Sequence, residues 1–473
     1  MANAVSCPLC CAFVRPVGGA TVARSSPGCA RLLCVSLARR AGRSSRLWKR
    51  FVRHRPALGF IFFTLLLDVL GFGLLIPVAP KLVQSLGGGN EQNAAWVYGF
   101  LVATYSLMQF FFAPILGALS DRFGRRPVLL VALFGSGLDY FAGALAPSLL
   151  FLFITRAING ISGASITVCN AYIADVTPPE KRHIGYGILG AAFGLGFVIG
   201  PLMGGILGEY DIRYPFYAAG ALTMINWLYG YFVLPESLSH ERRKHASIAQ
   251  SGMNPFATMG ILARYPLVAR MAASLFMVNL AMFSLHATWV YFTSNKFDWT
   301  PKQVGISLMC VGIGAAVVQG GLARKLIPAI GERNSLIWGL VIGVAAYAAY
   351  ALVPQGWMIY AVIAGASIGG ICGPAGQAII TKSVQPHEQG AVQGSLIALQ
   401  SIANVIAPIV ASNVFAFFIS DQAPFHFPGA PLMLASMLAG VGTVIAVWAT
   451  RGLPDSRLVN DKPGKAVTAS PRS

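Results

Sequence analysis

Gly117-Ala-Leu-Ser-Asp121-Arg122-Phe-Gly124-Arg125-Arg126-Pro127 is an eleven-residue polar interruption between two apolar runs. Each flanking run is long enough to cross a bilayer, which takes about 20 apolar residues. So short a connection must reverse the chain at a membrane surface. Gly117 and Gly124 allow close packing and positive φ without a Cβ penalty. Asp121 can accept hydrogen bonds from an arginine or from a helix N-terminus. Arg122, Arg125 and Arg126 place the turn on the cytoplasmic side, where short loops collect positive charge. Gly, Asp and Arg at fixed offsets form a more specific pattern than a merely cationic loop.

The rest of the composition agrees with a membrane protein. The chain has 473 residues, 55% hydrophobic and only 11% charged, with a mean hydropathy of +0.64. A soluble domain carries about 25% charged residues, so the chain reads as all-α and integral to a membrane. Its net charge of +19 is unevenly placed: residues 1–55 hold 11 of the 35 basic residues and no acidic one. This uneven charge argues for orientation in a membrane and against nucleic-acid binding. The extension is rich in Arg and Ser and has the composition of a transit peptide; a disordered cytoplasmic arm or sequence upstream of the true start are the other readings. Cys7 and Cys10 have metal-ligand spacing but no second pair nearby, and neither a metal nor a cofactor is expected.

Apolar runs of bilayer length follow at about 58–80, 94–117, 128–146, 149–172, 185–208 and 215–235, then 267–293, 302–324, 335–353, 356–380, 390–418 and 428–450. That is twelve spans in two sets of six. The expected layout is a basic extension (1–57), a first bundle (58–235), a polar linker (236–266), a second bundle (267–450) and a tail (451–473). Lys and Arg gather on the side of the extension, the Arg122–Arg126 turn, Lys181/Arg182, Arg242–Lys244, Arg324/Lys325/Arg333, Lys382 and the tail. Both termini are therefore expected in the cytoplasm. The sets also repeat at an offset of 207 residues: Gly124 meets Gly331, Arg126 meets Arg333, Gly163 meets Gly370, Pro179 meets Pro386, Gly187 meets Gly394 and Pro201 meets Pro408. Such duplication builds many secondary transporters, with the substrate near midplane between the repeats.

Ionisable groups are rare inside the spans, and chemistry is sought there first. Asp68 and Asp139 each fall about 15–17 Å from the cytoplasmic end of their helix, at the midplane. A carboxyl at that depth must pair, line water or hold a proton, so both are candidates for proton or substrate duty. A structural acid bonded to a neighbouring helix is the alternative. Arg156 cannot deprotonate and must find a carboxylate or carbonyls, which makes it a candidate partner for a midplane acid. Gln109, Asn159, Asn170, Gln319, Gln377 and Gln400 are neutral candidates for a cavity or for glue between helices. Of these, Gln109, Asn170, Gln319 and Gln377, with Asp68, form the expected substrate set. His286 is expected at an interface rather than in a proton relay. In Gly196-Phe-Val-Ile-Gly200-Pro201-Leu-Met-Gly204-Gly205, glycines line one helix face and Pro201 breaks the helix.

The Gly117–Pro127 stretch resembles the loop between helices 2 and 3 of the major facilitator superfamily, and the Gly200-Pro201 pattern resembles its antiporter motif. Leu65-Leu-Leu-Asp68-Val-Leu-Gly-Phe-Gly-Leu-Leu-Ile-Pro77, Tyr105-Ser-Leu-Met-Gln109, Leu138-Asp139-Tyr140, Ala191–Gly196 and Trp289–Thr293 resemble the tetracycline/proton antiporters. The likeness covers about 58–450. It implies a twelve-helix monomer in the cell (inner) membrane that exchanges a cytosolic drug for an external proton by rocking two halves, without being an enzyme. It implies that Asp68 and Asp139 serve coupling or substrate binding, and Arg156, their candidate partner, is placed with them in the coupling set. Gly117, Asp121, Arg122, Gly124, Arg125 and Arg126 would gate the cytoplasmic side, with Asp175, Gly200 and Pro201 placed in the same group. Small molecule, protons and bilayer are then the partners. Members carry an acid where Gly343 stands and a histidine where Ala315 stands, so a different cargo, including a metabolite, remains open.

Overall fold

The computed structural model describes residues 59, 61–163, 165–177, 182–238, 259–385 and 388–452. The extension 1–57, Pro179, Lys181, Arg242–Lys244, Pro386 and the tail from 453 lie outside the described residues. Among the described residues every regular element is a helix.

The first expected span is a broken one: α1 (Ile61–Leu75) and α2 (Ala79–Leu86) meet at 45°. Pro77 and Pro80 lie at the break, where each removes a backbone donor. Then follow α3 (Glu91–Phe123), α4 (Arg125–Ala144), α5 (Leu149–Ser162), α6 (Ser165–Val176), α7 (Arg182–Tyr210) and α8 (Tyr214–Val233). After the 3₁₀ turn Met259–Arg264 come α9 (Pro266–Phe297) and α10 (Pro301–Val317), which continues through a π turn (Val318–Leu322) into α11 (Ala323–Ile330). The last are α12 (Glu332–Leu352), α13 (Met358–Gly369), α14 (Cys372–Lys382), α15 (Gln389–Phe418) and α16 (Ala430–Thr450). Ten helical stretches are long and apolar enough to cross a membrane, and the α1–α2 pair makes eleven. The 20-residue α8 is less apolar because of its tyrosines and Asn226.

The repeat seen in the sequence is carried by the backbone. Gly124 (φ 108°, ψ 152°) joins α3 to α4, and Gly331 (φ 85°, ψ 154°) joins α11 to α12. These are conformations that glycine adopts freely. Gly163 closes α5 and Gly370 closes α13 with nearly the same dihedrals. Pro201 sits inside α7 and Pro408 inside α15. Contacts between the two sets are likewise paired: α3 packs on α15, and α7 on α10. The repeat converts one of these contacts into the other.

Packing differs between the two ends of the molecule. At the end remote from Gly124 and Gly331, one apolar core joins Leu74, Val78 and Leu82 to Trp289, Tyr291, Trp299 and Phe415. There Tyr291 Oη donates to Pro80 O (3.2 Å), Asn295 Nδ2 to Glu91 Oε2 (2.9 Å) and Thr300 Oγ1 to Glu209 Oε1 (2.8 Å). At the turn end the core divides. Ile61, Leu129, Leu133 and Tyr172 form one cluster, and Val268, Met271, Leu336 and Ile379 another. Among the described residues, one apolar core spans both sets at the far end, and at the turn end each set has its own.

Candidate functional site

Four helices of the first set direct polar side chains to one place. Asp139 is on α4; Arg156 and Asn159, three residues apart and so on one face of α5, approach it. Asp139 Oδ2 accepts from Arg156 Nη2 at 2.6 Å and from Asn159 Nδ2 at 2.6 Å. The Asp139 side chain is 1% exposed and that of Arg156 14%. Asp139 Oδ1 is buried with no hydrogen-bond partner among the described residues. The Arg156 guanidinium also lies 5.9 Å from the Tyr140 ring centroid. From α1, the half-buried Asp68 acts electrostatically on the Tyr105 and Tyr140 hydroxyls. From α3, Gln109 Nε2 donates to Gly163 O (3.1 Å) and reaches Tyr105 Oη (3.5 Å).

An ion pair this deep is not explained by stability alone. Removing two charges from water costs several kcal/mol per ion, and apolar residues of similar volume serve a core equally well. What the arrangement can do is hold a buried carboxylate with one oxygen engaged by two donors and the other without a described donor, a place where a proton can sit. The structure thus brings Asp68, Gln109, Asp139, Arg156 and Asn159 together. Asn170 on α6, Gln377 on α14 and Gln400 on α15 are exposed, and their side chains make no described hydrogen bond. Gln319 is exposed in the π turn of the α10–α11 helix, a feature that often marks functional positions. His286 is exposed against Phe283, their ring centroids 6.2 Å apart, and stays outside the cluster.

The polar turn is tighter than the sequence suggests. Gly117 is helical, because α3 runs on to Phe123, and a Cβ there would meet only Thr167 Cγ2 at 3.7 Å. The chain reverses at Gly124 alone. What straightens the expected loop is Arg125, whose guanidinium contacts Asp121 Oδ1 (2.5 Å), Asp175 Oδ2 (3.1 Å) and Ser120 Oγ (2.6 Å). Arg126 Nη2 donates to Tyr231 O at 2.6 Å, whereas Arg122 is exposed over Phe123. Glu236 completes the turn and was not legible as part of it. Its carboxylate accepts from the backbone N of Arg125 (2.9 Å) and Arg126 (3.2 Å), capping α4 where the helix dipole favours an anion. An acid in a polar linker carries no sequence signal of where it folds back. In α7, a Cβ at Gly200 would lie 2.9 Å from Gly73 Cα and 3.0 Å from Leu70 O, so α7 and α1 touch through their backbones. Pro201, next along, does not break the helix as expected: α7 runs through it from Arg182 to Tyr210, and only its donor to the carbonyl four residues before is missing.

This arrangement can be set beside known proteins. The model of the Major Facilitator Superfamily matches residues 61–408. The chain belongs to the Major Facilitator Superfamily. It is therefore a transporter rather than an enzyme, and a multi-pass membrane protein. Among its relatives, the class C tetracycline resistance protein of Escherichia coli is 38% identical over 365 residues, covering 77% of this chain and 91% of that one. The class B tetracycline resistance protein of Escherichia coli is 34% identical over 351 residues, covering 74% and 86%. The crystal structure of the human organic anion transporter MFSD10 is similar with a TM-score of 0.64 at 25% identity, covering 83% of this chain and 99% of that one.

Proposed function

We propose that this facilitator exports a small amphipathic compound, tetracycline-like or related, from the cytosol in exchange for external protons. It works as a monomer in the cell (inner) membrane with twelve spans, α8 included, and both termini in the cytoplasm. The bundles are 58–235 and 267–450, joined by 236–266. Likeness to tetracycline resistance proteins over three-quarters of the chain supports the cargo class. The observation that carries the mechanism is the Asp139–Arg156–Asn159 group with its unpartnered Oδ1. The turn end is the cytoplasmic one, by the positive-inside tendency of its arginines. On this reading the end at which the core divides faces the cytoplasm.

Compound enters from there and meets Asp68 and Gln109 on one side and Gln319 and Gln377 on the other. A proton arriving at Asp139 neutralises the partner of Arg156. The freed guanidinium must find new acceptors, and this links proton transfer to the rocking of the bundles. Asp121, Arg125 and Asp175, with Gly117, Arg122, Gly124 and Arg126 beside them, hold the cytoplasmic gate. Gly200 and Pro201 let α7 slide and bend against α1. Export against a gradient draws on the membrane potential, worth about 2.3 kcal/mol per charge per 100 mV.

The experiment is pH-gradient-driven uptake of tetracycline into inverted vesicles, in wild type and in D68N and D139N. Loss of uptake in either variant, with the protein inserted, supports coupling through that acid; uptake unchanged in both refutes it. A second reading, transport of a metabolite, coupled or passive, is favoured by Gly343 and Ala315, which stand where the resembled antiporters carry an acid and a histidine. Its test is a compound panel with and without a protonophore.

A further inference from the structure

Where the bundles meet at the far end, the second bundle donates and the first accepts. Tyr291 Oη donates to Pro80 O, Thr300 Oγ1 to Glu209 Oε1 and Asn295 Nδ2 to Glu91 Oε2 (2.9 Å). The Glu91–Asn295 contact differs from the other two. The remaining oxygen of the same amide, Asn295 Oδ1, is buried with no hydrogen-bond partner among the described residues. A carboxylate only accepts, so it satisfies Nδ2 and can never satisfy Oδ1. A carboxylic acid satisfies both: its carbonyl accepts from Nδ2 while its hydroxyl donates to Oδ1. One proton thus turns a single bond beside an orphaned acceptor into a closed acid–amide pair, and an orphaned buried acceptor is costly.

We propose that Glu91 and Asn295 form a second proton-binding site, on the external side, in which the proton joins the two bundles and favours closure of the far end. Glu91 stands in the first turn of α3 and Asn295 in the last turn of α9, one residue from each bundle. When the far end opens the two part, and both return to water. The closed arrangement therefore holds the proton more tightly than the open one. By linkage it gains population as external pH falls and loses it as pH rises. The dipole of α3 favours an anion at its first turn in both arrangements, so it does not bear on the difference. The surroundings leave the titration to Glu91, whose one described hydrogen bond is that from Asn295. The long α15, packed along α3, carries no ionisable residue. Tyr98 of α3 and Tyr291 of α9 have ring centroids 5.7 Å apart, and the Tyr291 hydroxyl is engaged by Pro80 O. Lys296 donates to Ala351 O (2.8 Å), and the exposed Asp298 ends α9. Lys81 of α2 interacts electrostatically with Glu209. The site is separate in duty from Asp139: a coupling proton crosses the membrane, whereas a proton at Glu91 returns to the side it came from. Its effect is to reset the emptied transporter toward the cytoplasm under the external acidity that drives export.

This site rests on alternating access with the far end outside, and its test separates the two. Leu150 and Trp357, related by the 207-residue offset and 71% and 65% exposed, take spin labels as unnatural amino acids and report the distance across the far end. Full-length protein in liposomes is measured at neutral pH and at about pH 5, where carboxyls take up protons. Wild type should show two distances, the short-to-long ratio rising about tenfold in acid, the effect of a one-unit difference in proton affinity between two states. E91Q, whose amide makes both bonds without a proton, should hold the acid ratio already at neutral pH and rise no further. N295A should stay at or below the neutral wild-type ratio at both pH values. A wild-type ratio that is unchanged or falls in acid overturns the site while leaving alternating access intact. An acid response of wild-type size in both variants also overturns it, since another group then titrates. Loss of the response in E91Q with its retention in N295A does the same, because the carboxyl then acts without the amide. A single distance in wild type under every condition sinks alternating access and the site together.

Discussion

Substituting Gly99 by alanine should push the far end open. Gly99 lies on α3 where that helix meets α15, and a Cβ there would sit 2.8 Å from Pro408 O and 2.8 Å from Ser412 Cβ. Neither neighbour can yield by turning a side chain: one is a backbone carbonyl, and the other is attached directly to the backbone of a fully buried serine. Forcing one methyl into such a contact costs about 1–3 kcal/mol. The cost falls only on the arrangement in which α3 and α15 touch at this end. It therefore moves the equilibrium between the two end states by about 5- to 150-fold toward the one open at the far end. The assay is the distance across the turn end in liposomes, where the short distance should gain population. Gly440→Ala, on α16 with nothing within 4 Å of its Cβ, is the control and should change neither the distances nor transport. An unchanged distance distribution in Gly99→Ala would refute the view that the far-end contact must separate during the cycle.

Three further outcomes follow from the geometry. Glu236→Ala removes the cap of α4 and, with the bonds from Ser237 N and Leu238 N, four charge-assisted bonds in all, and should lower unfolding stability by about 1–3 kcal/mol, read as a reduced melting temperature in detergent. Arg156→Leu strands the Asp139 carboxylate and should cost about 3–5 kcal/mol; Arg156→Lys keeps the charge but loses the planar donor fork, so it should fold nearly normally yet lower proton-driven transport at least tenfold. Asn159→Leu deletes one of the two donors to Asp139 and should destabilise by about 1–3 kcal/mol, with transport losing part of its dependence on the pH gradient.

The fold was legible in the sequence wherever one period of apolar residues sufficed. Length and hydropathy place the long helices, and Gly124/Gly331 and Pro201/Pro408 expose the duplication before any coordinates. Asp139 and Arg156 stood out because charge inside a span is costly and must be explained. The break between α1 and α2 was less clear, since Pro77 and Pro80 could as well have ended the span. The eleven-residue turn shrank to one glycine because Arg125 is satisfied by Asp121, Ser120 and Asp175 at once, a convergence that spacing alone does not reveal. Glu236 went unseen for the same reason: it returns from 111 residues away to meet Arg125. The neutral candidates fared unevenly, since a lone Gln or Asn in an apolar run looks alike whether it lines a cavity or faces outward.

The central claim is that a proton exchanged at Asp139 drives export. It is tested most directly by pH-gradient-driven tetracycline uptake into inverted vesicles carrying wild type or D139N, at matched protein levels. Wild-type uptake that collapses with a protonophore, together with its loss in D139N, is the predicted result. Uptake in D139N that still follows the pH gradient as wild type does would contradict the account, leaving Asp139 and Arg156 as a structural pair.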